Sequence, residues 1–249
     1  MNSTFGPAAP AATAPTSTPV GAMQTAAPPT RLRDVPAPIV IGSLAWLAIA
    51  LVLAATGVFQ HALPLVPLTT LTAVAGSLIA WRRSAALRAW TAGLDLRVPI
   101  LLHVARIGFG VLFLFELAAG RLPAVFAERG GYGDIIAGAL AIVAAVAAGS
   151  RHGARRQADS RRRRAIIWVF SIFGLLDILV VFATAQVEGL VHQNPLILGA
   201  IGRLPYSLLP SVVVPLVIVS HMLVMQRLRA LGRGTLARVL AVDPGGAPR

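Results

Sequence analysis

The stretch "AIIWVFSIFGLLDILVVFATA", residues 165–185, decides the fold of this chain. It is apolar throughout except for Ser171, Thr184 and one aspartate, Asp177. A helix needs about 20 predominantly apolar residues to cross the ~30 Å hydrocarbon core of a bilayer, so the stretch predicts a membrane-spanning helix. An ionisable side chain inside such a helix is costly, and Asp177 is therefore a candidate functional residue.

Further apolar stretches lie on both sides of this one, and they extend the same interpretation to most of the chain. They cover residues 38–59, 65–81, 98–117, 134–149 and 208–226. Only 12% of all residues are charged, whereas a soluble domain carries about 25%. The sequence therefore predicts an all-α, polytopic transmembrane bundle of six helices over residues 37–229.

The two ends of the chain lack such stretches. Residues 1–36 are rich in Pro, Ala and Thr and have too few large apolar residues to form a core, which predicts a disordered tail. Residues 230–249 are basic and predict a second tail.

The distribution of arginine predicts the orientation of the bundle. All 22 basic residues are Arg, and eighteen of them flank the spans on the side of the two termini, against three on the opposite side. The positive-inside rule then places both termini in the cytoplasm. The Arg- and Ala-rich composition is typical of a bacterium, so the predicted location is the bacterial inner membrane.

The net charge of +13 is interpreted as this topology signal, together with attraction to anionic lipid headgroups at the cytoplasmic face. Nucleic-acid binding is disfavoured because "RRQADSRRRR", residues 155–164, has no interleaved aromatic residues for base stacking. The chain contains no Cys and no Lys. It therefore has no thiolate ligand and no Schiff-base lysine, and its sequence carries no metal motif, nucleotide loop or nucleophile–base pair.

Six ionisable residues fall within or at the ends of the predicted spans: His103, Arg106, Glu116, Asp134, Asp177 and His221. At a rise of 1.5 Å per residue, His103 and His221 both lie ~7.5 Å from the cytoplasmic ends of their helices. Arg106 lies ~12 Å deep and Asp177 ~18 Å deep by the same measure, a gap that a guanidinium can span. We therefore expect a buried Arg106–Asp177 ion pair.

These residues support a transporter-like or ligand-binding membrane protein, in which His103, Arg106, Asp177 and His221 form the site. Arg106 would hold a polar or anionic group of a small ligand. One alternative is a haem-binding or redox protein with His103 and His221 as axial ligands. Another is a structural or assembly subunit whose polar cluster only fixes helix register. The sequence is compatible with a homo-oligomer.

Residues 131–134, "GYGD", match the Gly-x-Gly-Asp motif of the intramembrane aspartyl proteases. In that family the other aspartate follows a Tyr and comes earlier, whereas Asp177 comes later and has no Tyr before it. Residue counting also places Asp134 at the surface, too far from Asp177 to share a proton. The sequence favours a different interpretation, in which Gly131 and Gly133 form a turn and Asp134 begins the fourth helix, offsetting its dipole.

Four segments between residues 103 and 228 carry a broader resemblance: "HVARIGFG", "GRLPAVFAERGGYGDIIAG", "WVFSIFGLLDIL" and "LPYSLLPSVVVPLVIVSHMLVMQRL". They are similar to successive motifs of a bacterial family of small polytopic membrane proteins without a characterised function. The resemblance implies that five ionisable residues are motif positions, namely His103, Arg106, Asp134, Asp177 and His221. It implies no activity.

Overall fold

The structure, a computed structural model, describes residues 35–149 and 156–240. Except for residues 35 and 36, the predicted disordered tail lies outside the described residues, and so does the part of the predicted basic tail from residue 241 onward. Residues 230–240 of that tail continue the last helix. Within the described ranges the regular structure is helical, which confirms the all-α prediction.

Eight helices position the site. They are α1 (Ala37–Ala55), α2 (Leu65–Arg83), α3 (Ala85–Gly93), α4 (Arg97–Ala118), α5 (Ala124–Gly149), α6 (Arg156–Gln186), α7 (Pro195–Ile201) and α8 (Val214–Leu240). Shorter turns lie between them: Val58–His61 is helical, Tyr206–Leu208 is a 3₁₀ turn, and Val187–Val191 and Leu209–Val213 are π-helical turns. Within α4, residues Leu102–Val104 form a 3₁₀ turn. Six of these helices, α1, α2, α4, α5, α6 and α8, are long and apolar enough to cross a membrane, with the π turns extending α6 and α8.

The bundle is built around four helices. Helix α5 packs between α4 and α6, and α8 closes the group by packing on α6 and on the start of α4. Helix α2 lies against α8, and α1 lies at the edge of the bundle. The chain order alternates direction, so α3 marks one end of the bundle and α7 the other.

Each end of the four-helix group has its own apolar cluster. The cluster at the α3 end includes Ile100, Phe170 and Val224, all fully buried. The cluster at the α7 end includes Phe113, Phe126 and Ile197. The polar residues of interest lie between these two clusters.

Helix α5 corrects one prediction from the sequence. The expected turn at Gly131 and Gly133, with a helix start at Asp134, is wrong, because α5 begins at Ala124 and runs without interruption for 26 residues. The carbonyl of Pro123 accepts the first N–H groups of the helix, from Phe126 and Ala127. In lipid an interrupted helix would leave backbone groups without partners, so continuing the helix through the glycines is favoured.

Close packing explains why glycines occupy this part of α5. A Cβ on Gly110 of α4 would lie 2.5 Å from the carbonyl oxygen of Gly131, and a Cβ on Gly138 would lie 3.2 Å from the carbonyl oxygen of His103. Small residues at a helix–helix interface let two backbones approach, which is a main source of packing energy in membranes. These glycines are therefore contact positions between α4 and α5.

Pro215, the second residue of α8, has no N–H group, and backbone carbonyls of the preceding turn therefore need other donors. Pro215 cannot donate to Ser211 in an α-helix, nor to Pro210 in a π-helical turn. The carbonyl of Ser211 instead accepts the indole N–H of Trp46, at 2.8 Å. The carbonyl of Pro210 accepts the hydroxyl of Thr70. Helices α1 and α2 thus provide the hydrogen bonds that α8 lacks.

Candidate functional site

Arg106 stands at the centre of the polar residues and joins three helices. Its side chain is 3% exposed. Its Nε donates to Oδ1 of Asp134 on α5 at 2.6 Å, and its Nη1 donates to the carbonyl oxygen of Gly174 on α6 at 3.1 Å. Its Nη2 bonds Oδ2 of Asp177, also on α6. The predicted Arg106–Asp177 pair is therefore present, and Asp134 joins it.

Asp134 is placed very differently from the surface position expected for it. It is 5% exposed, and it is the eleventh residue of α5, roughly 15 Å from the start of that helix. The sequence contained a signal for this position. Gly131, Asp134 and Gly138 follow a spacing of three and then four residues, which puts the carboxylate on the helix face that packs against α4.

The position of Asp134 also changes the argument about an aspartyl protease. The depth difference expected between Asp134 and Asp177 does not exist, because both carboxylates contact Nη2 of Arg106. A catalytic dyad requires the two carboxyl groups to share a proton directly. Here the guanidinium bonds both carboxylates, so the three groups form a hydrogen-bonded triad, which we call the Arg106 triad.

Two glycines make room for the triad and for the histidine beside it. A Cβ on Gly133 of α5 would overlap the carboxylate of Asp177. A Cβ on Gly174 of α6 would lie 2.5 Å from Cε1 and Nε2 of His221 and 3.4 Å from Nη1 of Arg106. Gly174 therefore lets His221 and Arg106 approach the same point of the bundle.

His103 and His221 lie side by side, in agreement with the equal depths expected from residue counting. Both are completely buried, their ring centroids are 4.0 Å apart, and the rings are inclined by 34°. Phe170 contacts both rings, with centroid distances of 5.2 and 5.0 Å. The sequence did not indicate this aromatic partner of the two histidines.

Hydrogen bonding assigns a tautomer to His103. Its Nε2 lies 2.9 Å from Oγ of Ser220, and that hydroxyl donates its single proton to the carbonyl of Val217, also at 2.9 Å. His103 is thus assigned as the donor through Nε2, which leaves Nδ1 as an acceptor. Within the described part of the chain, Nδ1 of His103 and both ring nitrogens of His221 have no hydrogen-bond partner.

The stacked rings do not fit the haem alternative. Axial ligation places the iron and the plane of the macrocycle between the two imidazoles. Rings whose centroids are 4.0 Å apart are already in van der Waals contact and leave no room for that plane. Among the described residues, no group of three or more His, Asp or Glu side chains is arranged to hold a metal ion.

A cavity of about 90 Å³ leads from the triad toward the α7 end. Arg106 and Asp134 line one end of it, and Ile197, Ala200 and Tyr206 line the other. Most of the wall between them is apolar, from Phe, Val, Ile and Leu side chains. The volume corresponds to about three water molecules, or to a short alkyl chain.

A second polar group that sequence reasoning missed lies at the α7 end. Glu188, in the π-helical turn after α6, is 8% exposed and accepts a hydrogen bond from Asn194 at 2.8 Å. Nδ1 of His192 lies 2.9 Å from the same carboxylate. Nearby, Arg121 donates to Glu116 at 2.7 Å, and this carboxylate raises the pKa of the Arg121 guanidinium.

The family comparison agrees with the resemblance seen in the sequence. The family model described as Domain of unknown function (DUF8737) matches residues 63–229, which is more than half of the chain and contains α2 to the greater part of α8. The triad and the histidine pair all lie within the match. No curated protein and no solved structure matches the chain.

Proposed function

Because this chain belongs to the DUF8737 family, which brings no activity with it, we propose its function from the site itself. We propose that it is a transporter-like protein of the bacterial inner membrane that binds a small amphiphilic cation. The ligand would be a short apolar group with one ammonium-type head. The observation that supports this proposal is the apolar cavity that is lined, at the triad, by the guanidinium of Arg106 and the carboxylate of Asp134.

The charge of the triad favours a cation over the anion expected from the sequence. Each of the three guanidinium nitrogens of Arg106 already has a protein acceptor. An anionic ligand would have to displace one of them and then lie beside two carboxylates. A cation instead meets the carboxylate of Asp134, which lines the cavity. Attraction between unit charges at short range is strong in a medium of low polarity, so the charge of Asp134 favours cationic over anionic ligands.

The shape of the bundle supports transport rather than simple storage. The cavity extends from the middle of the bundle toward the α7 end, whereas the fully buried side chains of Ile100, Phe170 and Val224 fill the α3 end. Alternating access requires a central site that is reached from one side at a time. A purely structural cluster would satisfy its own hydrogen-bonding groups, whereas three imidazole nitrogens of His103 and His221 have no partner among the described residues.

A cavity-filling pair of variants tests the proposal. Ala185 of α6 lines the cavity, while Ala183 of the same helix is exposed on the outside of the bundle. Purified protein should be stabilised against heat by n-butylammonium, and much less by n-butanol or butyrate. Ala185→Leu should abolish this stabilisation, and Ala183→Leu should leave it unchanged.

The calorimetric affinity for n-butylammonium provides a second measurement on the same three proteins, the unchanged chain and its two variants. Equal affinity for butyrate and n-butylammonium would contradict the assignment of a cation. Full binding by the Ala185→Leu variant would contradict the assignment of the cavity.

A further inference from the structure

The Arg106 triad carries more negative than positive charge. Arg106 contributes one positive charge, and Asp134 and Asp177 contribute two negative charges when both are ionised. The side chains are 3%, 7% and 11% exposed, respectively. With both aspartates ionised, the site would hold one uncompensated negative charge in the middle of the bundle.

The groups around the triad do not supply the missing positive charge. His103 on α4 and His221 on α8 are stacked on each other beside Arg106, and none of the described carboxylates is hydrogen-bonded to either ring. From the remaining walls of the cavity, α2 contributes Val66, α7 contributes Ile197 and Ala200, and Tyr206 contributes a phenol at the far end.

An unpaired charge inside a membrane is costly, and a carboxylate in such a place is neutralised by a proton or by a cation. The two aspartates approach the same nitrogen atom of Arg106, so a proton on either of them leaves a balanced ion pair between the other and the guanidinium. The geometry thus accommodates one proton, carried by one aspartate or the other. The ammonium ligand proposed above would satisfy the same charge.

We propose that the Arg106 triad holds one proton in the ligand-free protein and that a bound cation displaces it. The ligand half of this statement rests on the function proposed above, and the proton half does not. On binding, the O–H bond of the protonated aspartate breaks and its proton leaves through the cavity to water. The ammonium head then donates its hydrogen bonds to the carboxylate. Cation and proton therefore exchange in a ratio of one to one.

Infrared spectroscopy of the purified protein in lipid-free detergent tests both halves. At neutral pH, a protein with isotope-labelled aspartate carboxyls should show the C=O band of one protonated aspartate. Asp134→Asn and Asp177→Asn should each remove the band, because either variant leaves Arg106 paired with a single carboxylate. Glu188→Gln is the matched control, since it alters another buried carboxylate, far from the triad and with its own hydrogen-bond donors, and it should keep the band.

Addition of n-butylammonium should abolish the band and release one proton per protein into a weakly buffered solution. Absence of the band from the ligand-free protein would overturn the proton site. Binding of n-butylammonium with the band intact would overturn the exchange. A band that is present and lost in both Asn variants, in a protein that binds no n-butylammonium, would support the proton site and contradict the proposed cation ligand.

Discussion

Arg106 is the side chain on which three helices converge, and its two carboxylate partners come from different helices. Asp134 belongs to α5 and Asp177 to α6. A buried ion pair contributes little net stability compared with apolar packing, but removal of one partner leaves an uncompensated charge. A site with two carboxylates for one guanidinium should tolerate the loss of one carboxylate but not of both. Comparing single and double variants therefore tests the triad.

The first prediction concerns the two aspartates taken singly and together. Asp134→Asn and Asp177→Asn each leave a one-to-one pair, so each should reduce the free energy of unfolding by less than the roughly 3–5 kcal/mol lost when a buried charge is unpaired. The double variant leaves Arg106 alone and should lose that full amount. Unfolding in mixed detergent micelles, followed by circular dichroism, measures all three.

A double variant that is no less stable than the single variants would show that the carboxylates do not hold Arg106. Arg106→Gln in the double-variant background is the control. It removes the unpaired charge and should restore part of the lost stability.

Residue counting predicted one half of the triad and missed the other, for a physical reason. Depth along a helix follows from a fixed rise per residue, and this was enough to pair Arg106 with Asp177 and to bring His103 and His221 together. The same counting placed Asp134 at the surface, because the sequence predicted that its helix begins at Asp134 itself. Once α5 begins at Ala124, the same counting brings Asp134 to the depth of Arg106.

Helix α5 shows how the meaning of glycine depends on the solvent. In water, closely spaced glycines commonly mark a turn, because exposed backbone groups can bond to water. In a membrane no such partner exists, and the same residues form a smooth face for close helix packing. The length of the apolar stretches therefore predicted the six spanning helices. The first residue of α5 could not be inferred from rules for soluble proteins.

The second prediction concerns two glycines at helix contacts, Gly133 of α5 and Gly174 of α6. Gly133→Ala and Gly174→Ala should each destabilise the protein by about 1–3 kcal/mol, because the added methyl group overlaps Asp177 in one case and His221 in the other. Gly108→Ala on α4 is the control, since its Cβ would have no neighbour within 4 Å. That change should be neutral or should stabilise the helix by up to about 1 kcal/mol. Equal effects at all three positions would contradict the packing described for α5 and α6.

The whole molecule has an arginine-rich end and an end that carries α7, toward which the cavity extends. The positive-inside rule predicts that the first end lies in the cytoplasm, and the α7 end would then lie on the opposite side of the membrane. This orientation is the property on which the direction of any transport depends.

The third prediction uses the absence of cysteine from the sequence. Ala85 at the start of α3 and Ala119 after α4 are both exposed, at opposite ends of the bundle. In intact bacterial cells, a membrane-impermeant maleimide should label Ala119→Cys and should not label Ala85→Cys. Permeabilised cells should label both, which controls for the reactivity of each thiol. The reverse pattern in intact cells would contradict the predicted orientation and place the α7 end in the cytoplasm.

The hydrogen bond between Trp46 and Ser211 has a consequence for the order of events during synthesis. The two residues are 165 positions apart, so at about 5–20 residues per second the ribosome adds the acceptor roughly 10–30 s after the donor. Throughout that interval α1 must remain in the bilayer without the partner that later fixes it. The surface of α1 is apolar and mostly exposed in the bundle, so it is compatible with lipid before the partner is made. The indole N–H of Trp46 then bonds the last spanning helix to be synthesised.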